Sequence, residues 1–400
     1  MRSTSTATVG SDSAGGEVMV GSGAMAGNVA APVASKGAGG GTMVAPVATL
    51  GAMAACSPLP RLGGAVVARA PLRVSFGGGG TDLAPYYERF GGLVVSAALA
   101  RNCTVVATPT PDGSVRIKSA DYGISQSFRR GEVVSVAEPL ALPRAAVERF
   151  WRNGLAERGV ELRLASQAPP GSGLGGSSAM AVALVRALAA YTHTPLDPGR
   201  AAGLACWLEI ERLGLPIGKQ DQCASAFGGL NAITFAREGV DVTPLVLPAG
   251  ALATLKARLL LFWTGRTHDS AAILRQQRAP TSANGAVTES LHRLKALAAA
   301  MRNALVTGDL DAFGRLLDRA WQQKRGLSPH ISSAAIDGWY AAARAAGALG
   351  GKIAGAGGGG YLLLYCPPLR QAAVRGALSA LGLREMPCRF DLEGAEVATA

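Results

Sequence analysis

Pro169-Pro170-Gly171-Ser172-Gly173-Leu174-Gly175-Gly176-Ser177-Ser178-Ala179 is the stretch on which the reading of this chain turns. Before it, residues 160–166 alternate like a strand until Pro169-Pro170 stops them. After it, residues 177–191 read as an apolar helix about 22 Å long at 1.5 Å per residue. A helix N-terminus leaves N–H groups unpaired and carries about half a positive charge. Glycines let the backbone approach an anion closely. Pro170, Gly171, Ser172, Gly173, Leu174, Gly175, Gly176, Ser177 and Ser178 are therefore expected to cradle phosphates. A hydroxyl of Ser177 or Ser178 could bond a phosphate or ligate Mg²⁺. No Lys follows the glycines, so this is not a Walker A loop. Gly171, Gly173 and Gly176 also fit G-x-G-x-x-G, with Asp197 at a suitable distance beyond. A dinucleotide site is thus the rival. The Pro-Pro, the two serines at the helix start and the lack of a strand before Asp197 weigh against it.

Three further constellations stand around the loop. Lys219-Gln220-Asp221-Gln222 follows a helix and a turn, and beside a phosphate loop Asp221 could accept a hydroxyl proton as phosphoryl transfer begins. Glu209 and Glu211 lie upstream; residues two apart do not share a helix face, so one could hold Mg²⁺ while the other is surface. Gly350–Gly360 holds seven glycines and runs straight into an apolar strand at Tyr361–Tyr365, which implies close backbone approach to a ligand or another segment. Another glycine run, Gly77–Gly80, precedes Thr81-Asp82 and follows a strand carrying Arg73.

The wider pattern sets the frame. Residues 1–60 contain no Phe, Trp or Tyr, and their charges, Arg2, Asp12, Glu17 and Lys36, cancel. Such a stretch cannot bury enough to offset its ordering entropy. Residues 1–62 are expected to be a disordered low-complexity tail or the product of a start codon placed too early. The rest carries the net charge of +12, dispersed rather than run together, which suits small anionic ligands better than nucleic acid. No stretch of about 18 apolar residues suggests a membrane span. The six cysteines are scattered, with no CxxC pair or Cys/His cluster, which fits a reducing cytoplasm and argues against a zinc site. Strands are expected at 65–70 and 73–76, split by Pro71, at 93–100, and at 255–263; 103–108 and 115–119 suggest a hairpin around Asp112-Gly113. Helices are expected at 143–159, 201–213, 271–278, 290–307, 310–325 and 332–346. Strands and helices mix without strict alternation, which predicts an α+β fold. A boundary is expected near residues 238–254, giving domains over 63–245 and 246–400.

Three of these pieces, in this order, resemble the GHMP kinase superfamily: Ala70-Pro71-Leu72-Arg73-Val74-Ser75-Phe76-Gly77-Gly78-Gly79-Gly80-Thr81-Asp82, the loop at 170–179, and the run at 352–360. Within it the chain looks most like the D-glycero-D-manno-heptose 7-phosphate kinases. That likeness is carried by residues 69–83, Pro85-Tyr86-Tyr87, Gly218–Gln222 and Thr264-Gly265-Arg266. Fucokinase-like enzymes share much of the pattern. Gly79 and Gly80 stand where galactokinase-like enzymes have a Glu-His pair, which opens room for a different or bulkier sugar.

The resemblance implies a GHMP kinase fold: a ribosomal protein S5 domain 2-like N-terminal domain and a ferredoxin-like C-terminal domain, with ATP between them. It implies that Asp221, Arg73 and Lys219 are catalytic. Ser177 and Glu211 would hold Mg²⁺. Gly78, Gly79, Gly80, Thr81, Asp82, Gly357, Gly358 and Arg266 would line the acceptor side, with His268 a further candidate there. The implied reaction moves the γ-phosphoryl group of ATP to the anomeric hydroxyl of the heptose 7-phosphate, towards nucleotide-activated heptose. The alternatives are a fucokinase-like or other sugar 1-kinase, and a nucleotide-binding regulator without kinase activity. Expected partners are ATP and a sugar or sugar phosphate, with no nucleic acid and no membrane; a homodimer is left open.

Overall fold

Pro71 has no backbone N–H to give a sheet, so its position predicts a break between two strands. In the computed structural model, which describes residues 42–44, 64–129, 132, 140–267 and 285–399, the strand Val66–Gly77 instead runs unbroken. Pro71 is absorbed by a shift of register between Pro71 and Leu72. The neighbouring strand Gly92–Thr108 is likewise one 17-residue element where the sequence suggests two. It is the spine of a nine-stranded sheet. Besides pairing Val66–Gly77, it pairs Leu230–Phe235 along its first part and Val160–Ser166 along its last. Glu396–Thr399 closes the free edge of Val66–Gly77. At the far edge Thr42–Val44 pairs with Val240–Pro244; the rest of the expected tail, the helix expected at 271–278 and His268 lie outside the described residues.

The hairpin expected around Asp112-Gly113 does not form between 103–108 and Val115–Ser119. Val160–Ser166 lies between them, parallel to Val115–Ser119, which pairs on its other side with Ile124–Phe128. A parallel neighbour needs a long crossover, and the helix Ala141–Phe150 lies within it.

The helix Gly176–Tyr191 is buried on nearly every side, as an all-round apolar helix must be. It packs on the strands Val66–Gly77 and Gly92–Thr108. Further on, the helix expected at 201–213 ends in a widened turn over Trp207–Arg212. The strand expected at 255–263 is really two elements. Ala251 and Leu255, one turn apart, bury one side of a helix, Ala251–Arg258, and the strand is Leu259–Trp263.

That strand belongs to a second, all-antiparallel sheet ordered Gly350–Ile353, Tyr361–Tyr365, Leu259–Trp263, Arg384–Met386. The helices Leu310–Arg325, Ala334–Ala345 and Gln371–Ala380 accompany it, while Gly285–Thr307 packs on Leu310–Arg325 and on the strands Val66–Gly77 and Gly92–Thr108 of the first sheet. The two sheets share a core. Leu72, Val74 and Phe76 from the first pack with Met301, Phe313 and Tyr365 from the second half, and the Phe76 and Phe313 rings meet edge-on at 5.2 Å. The architecture is α+β. Among the described residues no helix is long and apolar enough to cross a membrane.

Candidate active site

The glycine loop enters its helix through Gly175, which has φ +73° and gives no side-chain cap. The first amides of the helix are therefore left for a ligand. A Cβ on Gly175 would sit 3.2 Å from Asp221 Oδ2 and 3.3 Å from the Arg73 guanidinium carbon. Glycine is needed there both for the backbone and for the space. At Gly176 a Cβ would meet nothing within 4 Å.

Arg73 and Asp221 meet directly beneath this turn. Arg73 Nε and Nη2 donate to the two Asp221 oxygens at 2.6 and 2.5 Å, and Arg73 Nη1 donates to the Gly173 carbonyl at 2.6 Å. The Arg73 side chain is 6% exposed and that of Asp221 21%. A two-pronged guanidinium–carboxylate contact fixes both planes as well as the charge. Asp221 also stands in the first turn of the helix Gln220–Phe227, where a negative charge is favoured. The phosphate loop, 100 residues from the arginine in sequence, and the carboxylate, 148 residues from it, thus share one side chain.

The carboxylate that faces Ser177 is Glu209, not Glu211. Ser177 Oγ donates to Glu209 Oε1 at 2.6 Å, and Gln222 Nε2 donates to Glu209 Oε2 at 2.6 Å. Glu209 is fully buried, whereas Glu211 is exposed. The two are neighbours in the widened turn Trp207–Arg212, and only one can point inward. Burial raises the Glu209 carboxyl to about 7, against the pull of its bonds to Ser177, Ser178 and Gln222. The pair fits Mg²⁺. A buried carboxylate without an ion-pair partner among the described residues lies against a hydroxyl at a phosphate loop. Mg²⁺ commonly takes one or two carboxylates and completes its shell with phosphates and water. No cluster of three or more His, Cys, Asp or Glu suited to a metal is found among the described residues, so a nucleotide would supply the remaining ligands.

On the acceptor side the expected residues divide. Asp82 is 2% exposed and receives the Gly80 N–H at 3.0 Å, the Gln220 N–H at 3.3 Å and Gln220 Nε2 at 3.0 Å. Burial, with Asp221 close by, raises its pKa. Gln220 Oε1, buried and without a hydrogen-bond partner among the described residues, is a group the sequence reading passed over. Gly79 leaves its side open, with Gln220 Nε2 3.8 Å from where a Cβ would be. Thr81 is spent on structure. Its hydroxyl reaches the carbonyls of Gly78 and Leu93 and accepts the Leu93 N–H. Gly78 packs against Leu93, where a Cβ would lie 1.8 Å from the carbonyl oxygen.

Lys219 does not join Asp221: its ammonium lies 5.0 Å from the centre of the Tyr87 ring. Gly357 and Gly358 are engaged with Ile331, whose carbonyl accepts the Gly358 N–H at 2.9 Å. The contact of this third glycine run with the phosphate loop comes instead from Gly355, against Gly173, and from Gly360, against Ser172. Arg266 is exposed over the Trp339 ring, and its carbonyl accepts the Gly360 N–H. Asp197 caps the helix Pro198–Cys206 by accepting the Arg200 N–H at 2.8 Å, which removes the acidic residue that a dinucleotide reading requires.

Two buried lysines complete the floor. Lys352 Nζ donates to the Ser75 carbonyl at 2.7 Å, and Lys324 Nζ to the Gly355 carbonyl at 2.5 Å. Burial, with Lys324 and Arg73 nearby, pushes Lys352 well below the usual lysine range.

Comparison with known proteins agrees with this geometry. Residues 141–229 match the family model of the GHMP kinase N-terminal domain, and residues 294–382 that of the GHMP kinase C-terminal domain. The D-glycero-alpha-D-manno-heptose 7-phosphate kinase of Campylobacter jejuni is 29% identical over 307 residues, covering 76% of this chain and 90% of that protein. The L-fucokinase/L-fucose-1-P guanylyltransferase of Bacteroides fragilis is 29% identical over 338 residues, 78% of this chain but 35% of that protein. The crystal structure of a D-glycero-D-manno-heptose 1-phosphate kinase from Bacteroides thetaiotaomicron superposes with a TM-score of 0.69 at 28% identity, covering 84% of this chain and 99% of that one. Residues 141–229 and 294–382 thus match the GHMP kinase N- and C-terminal domains in order, on one GHMP kinase fold.

Proposed function

We propose that this protein transfers the γ-phosphoryl group of ATP to the anomeric hydroxyl of D-glycero-D-manno-heptose 7-phosphate, a step towards nucleotide-activated heptose. The observation that carries the reading is the two-pronged Arg73–Asp221 contact at the Gly173 carbonyl, beneath a serine-tipped helix start. The name of the Campylobacter jejuni relative supports the acceptor.

Phosphoryl transfer asks a protein mainly for position and charge. The free amides at 173–178 receive the phosphates of ATP. Ser177 and Glu209 would hold Mg²⁺, which when bound offsets charge on the β- and γ-phosphates. Arg73 keeps Asp221 aligned, so that Asp221 takes the acceptor's hydroxyl proton as the new O–P bond forms and ADP leaves. Asp82 sets Gln220, whose free Oε1 is suited to an acceptor hydroxyl.

The test is ADP release over a panel of sugars and sugar phosphates, with the phosphorylated position read by NMR. Heptose 7-phosphate is expected to be turned over fastest, with the phosphate at C1. Asp221→Asn is expected to lose on the order of 10²–10⁴ in turnover while keeping ATP affinity. Turnover of fucose alone would move the reading to a fucokinase-like enzyme, which the Bacteroides fragilis relative favours. ATP binding without turnover of any sugar would leave a nucleotide-binding regulator.

A further inference from the structure

Lys324 lies in the last turn of the helix Leu310–Arg325, and it is 7% exposed. Burying an ammonium is costly unless something compensates its charge. No ion pair to Lys324 is found among the described residues. Of its three donors, one is engaged, by the Gly355 carbonyl. That carbonyl belongs to the glycine run lying on Gly173, and the Gly173 carbonyl in turn accepts from Arg73. The charges that act on Lys324 are Arg73 on the strand Val66–Gly77, Asp82 in the turn after it and Asp221 on the helix Gln220–Phe227; Lys352 faces it from Gly350–Ile353. The ammonium therefore faces the point where the phosphate loop meets the acceptor carboxylate, with two N–H donors uncommitted among the described residues.

We propose that Lys324 is an anion ligand of this site, its ammonium bonding a phosphate oxygen of the group in transit from nucleotide to acceptor. The proposal rests on the kinase reading above. It gives the site a second cation beside Arg73, whose guanidinium is already divided between Asp221 and Gly173. With no anion bound, burial and then Arg73 lower Lys324 to about 8. An arriving phosphate favours the ammonium and raises it again, so binding near pH 8 draws in a proton. The charged form is present below about 8 and lost above it. kcat/KM should therefore fall on the alkaline side with a midpoint near 8.

The test uses the full chain with Lys324→Met and Lys324→Arg. Lys324→Met should lose about 10²-fold in turnover at pH 7, as when one preorganised donor is removed. Lys324→Arg keeps a cation at every pH and should lack the alkaline fall. Calorimetry of Mg·ATP binding to the unmodified protein at pH 8, in two buffers of different ionisation enthalpy, should show uptake of about half a proton, absent in both variants. A lysine that only props up the glycine run would instead lower the melting temperature in Lys324→Met, leave the alkaline fall in Lys324→Arg and take up no proton. That pattern overturns the proposal. Pyrophosphate is the second probe. If ATP fails to bind but pyrophosphate binds with proton uptake that Lys324→Met abolishes, the kinase reading falls and the anion site stands. If neither probe binds, both fall.

Discussion

Glu209 and Glu211 have the same chemistry and stand two positions apart, yet only Glu209 touches Ser177. At the scale of the residue, burial separates them. Removing the Glu209 charge leaves a fully buried pocket with a neutral amide in place of the carboxylate, whereas Glu211 already faces water. Glu209→Gln is expected to raise the Mg²⁺ concentration needed for half-maximal activity by at least about 10-fold, the factor that corresponds to 1.4 kcal/mol of lost ligand binding. Glu211→Gln should leave it within twofold. A Mg²⁺ titration of ADP release in the two variants checks this, and equal effects would return the metal ligand to doubt.

At the scale of the element, the turn before the helix Gly176–Tyr191 contains two adjacent glycines with opposite requirements. Gly175 has φ +73°, and the place of its missing Cβ is crowded by Asp221 and Arg73. Gly176 has an ordinary backbone and open space. Gly175→Ala should destabilise by about 1–2 kcal/mol through the left-handed backbone alone, and disturb the Arg73–Asp221 contact as well. Gly176→Ala should be neutral or stabilising by up to about 1 kcal/mol, because alanine restricts the unfolded chain and suits a helix. Thermal denaturation of both variants gives the comparison. A shift of the same sign in both would mean that the turn is not built as described.

At the scale of the whole molecule, the two sheets are held by one mixed core. Phe76, just before the glycine run of the acceptor side, is fully buried against Phe313. Phe76→Ala should cost about 3–5 kcal/mol, the range for a large aromatic removed from a core. The rest of the shared core, with Leu72 and Val74 beside Met301, Phe313 and Tyr365, still joins the halves, so both should melt together in that variant. Denaturant unfolding followed separately by the Trp207 signal of the first half, the Trp321 signal of the second and far-UV circular dichroism would reveal any uncoupling. Two separate transitions would show that the shared core is not what joins the halves.

Much of the site was legible in the chain itself. The glycine–serine turn before an apolar helix, and the aspartate expected to work beside it, are local patterns, and local backbone chemistry writes them directly into the residue order. The mix of helix and strand, the strand Tyr361–Tyr365 and the helix Leu310–Arg325 were legible for the same reason, since hydrophobic spacing sets them. What lay beyond the sequence were choices between equals and meetings at long range. Which glutamate turns inward depends on a widened helical turn. Whether Pro71 breaks a strand depends on a partner long enough to span the irregularity. Lys324 lies in no motif, Gln220 lies in the 218–222 run without a role assigned to it there, and Thr81, Gly357 and Gly358 lie in motifs but are used to hold loops in place. Tertiary structure alone decided these, because burial and the pairing of distant polar groups are properties of the packed chain and not of any segment within it.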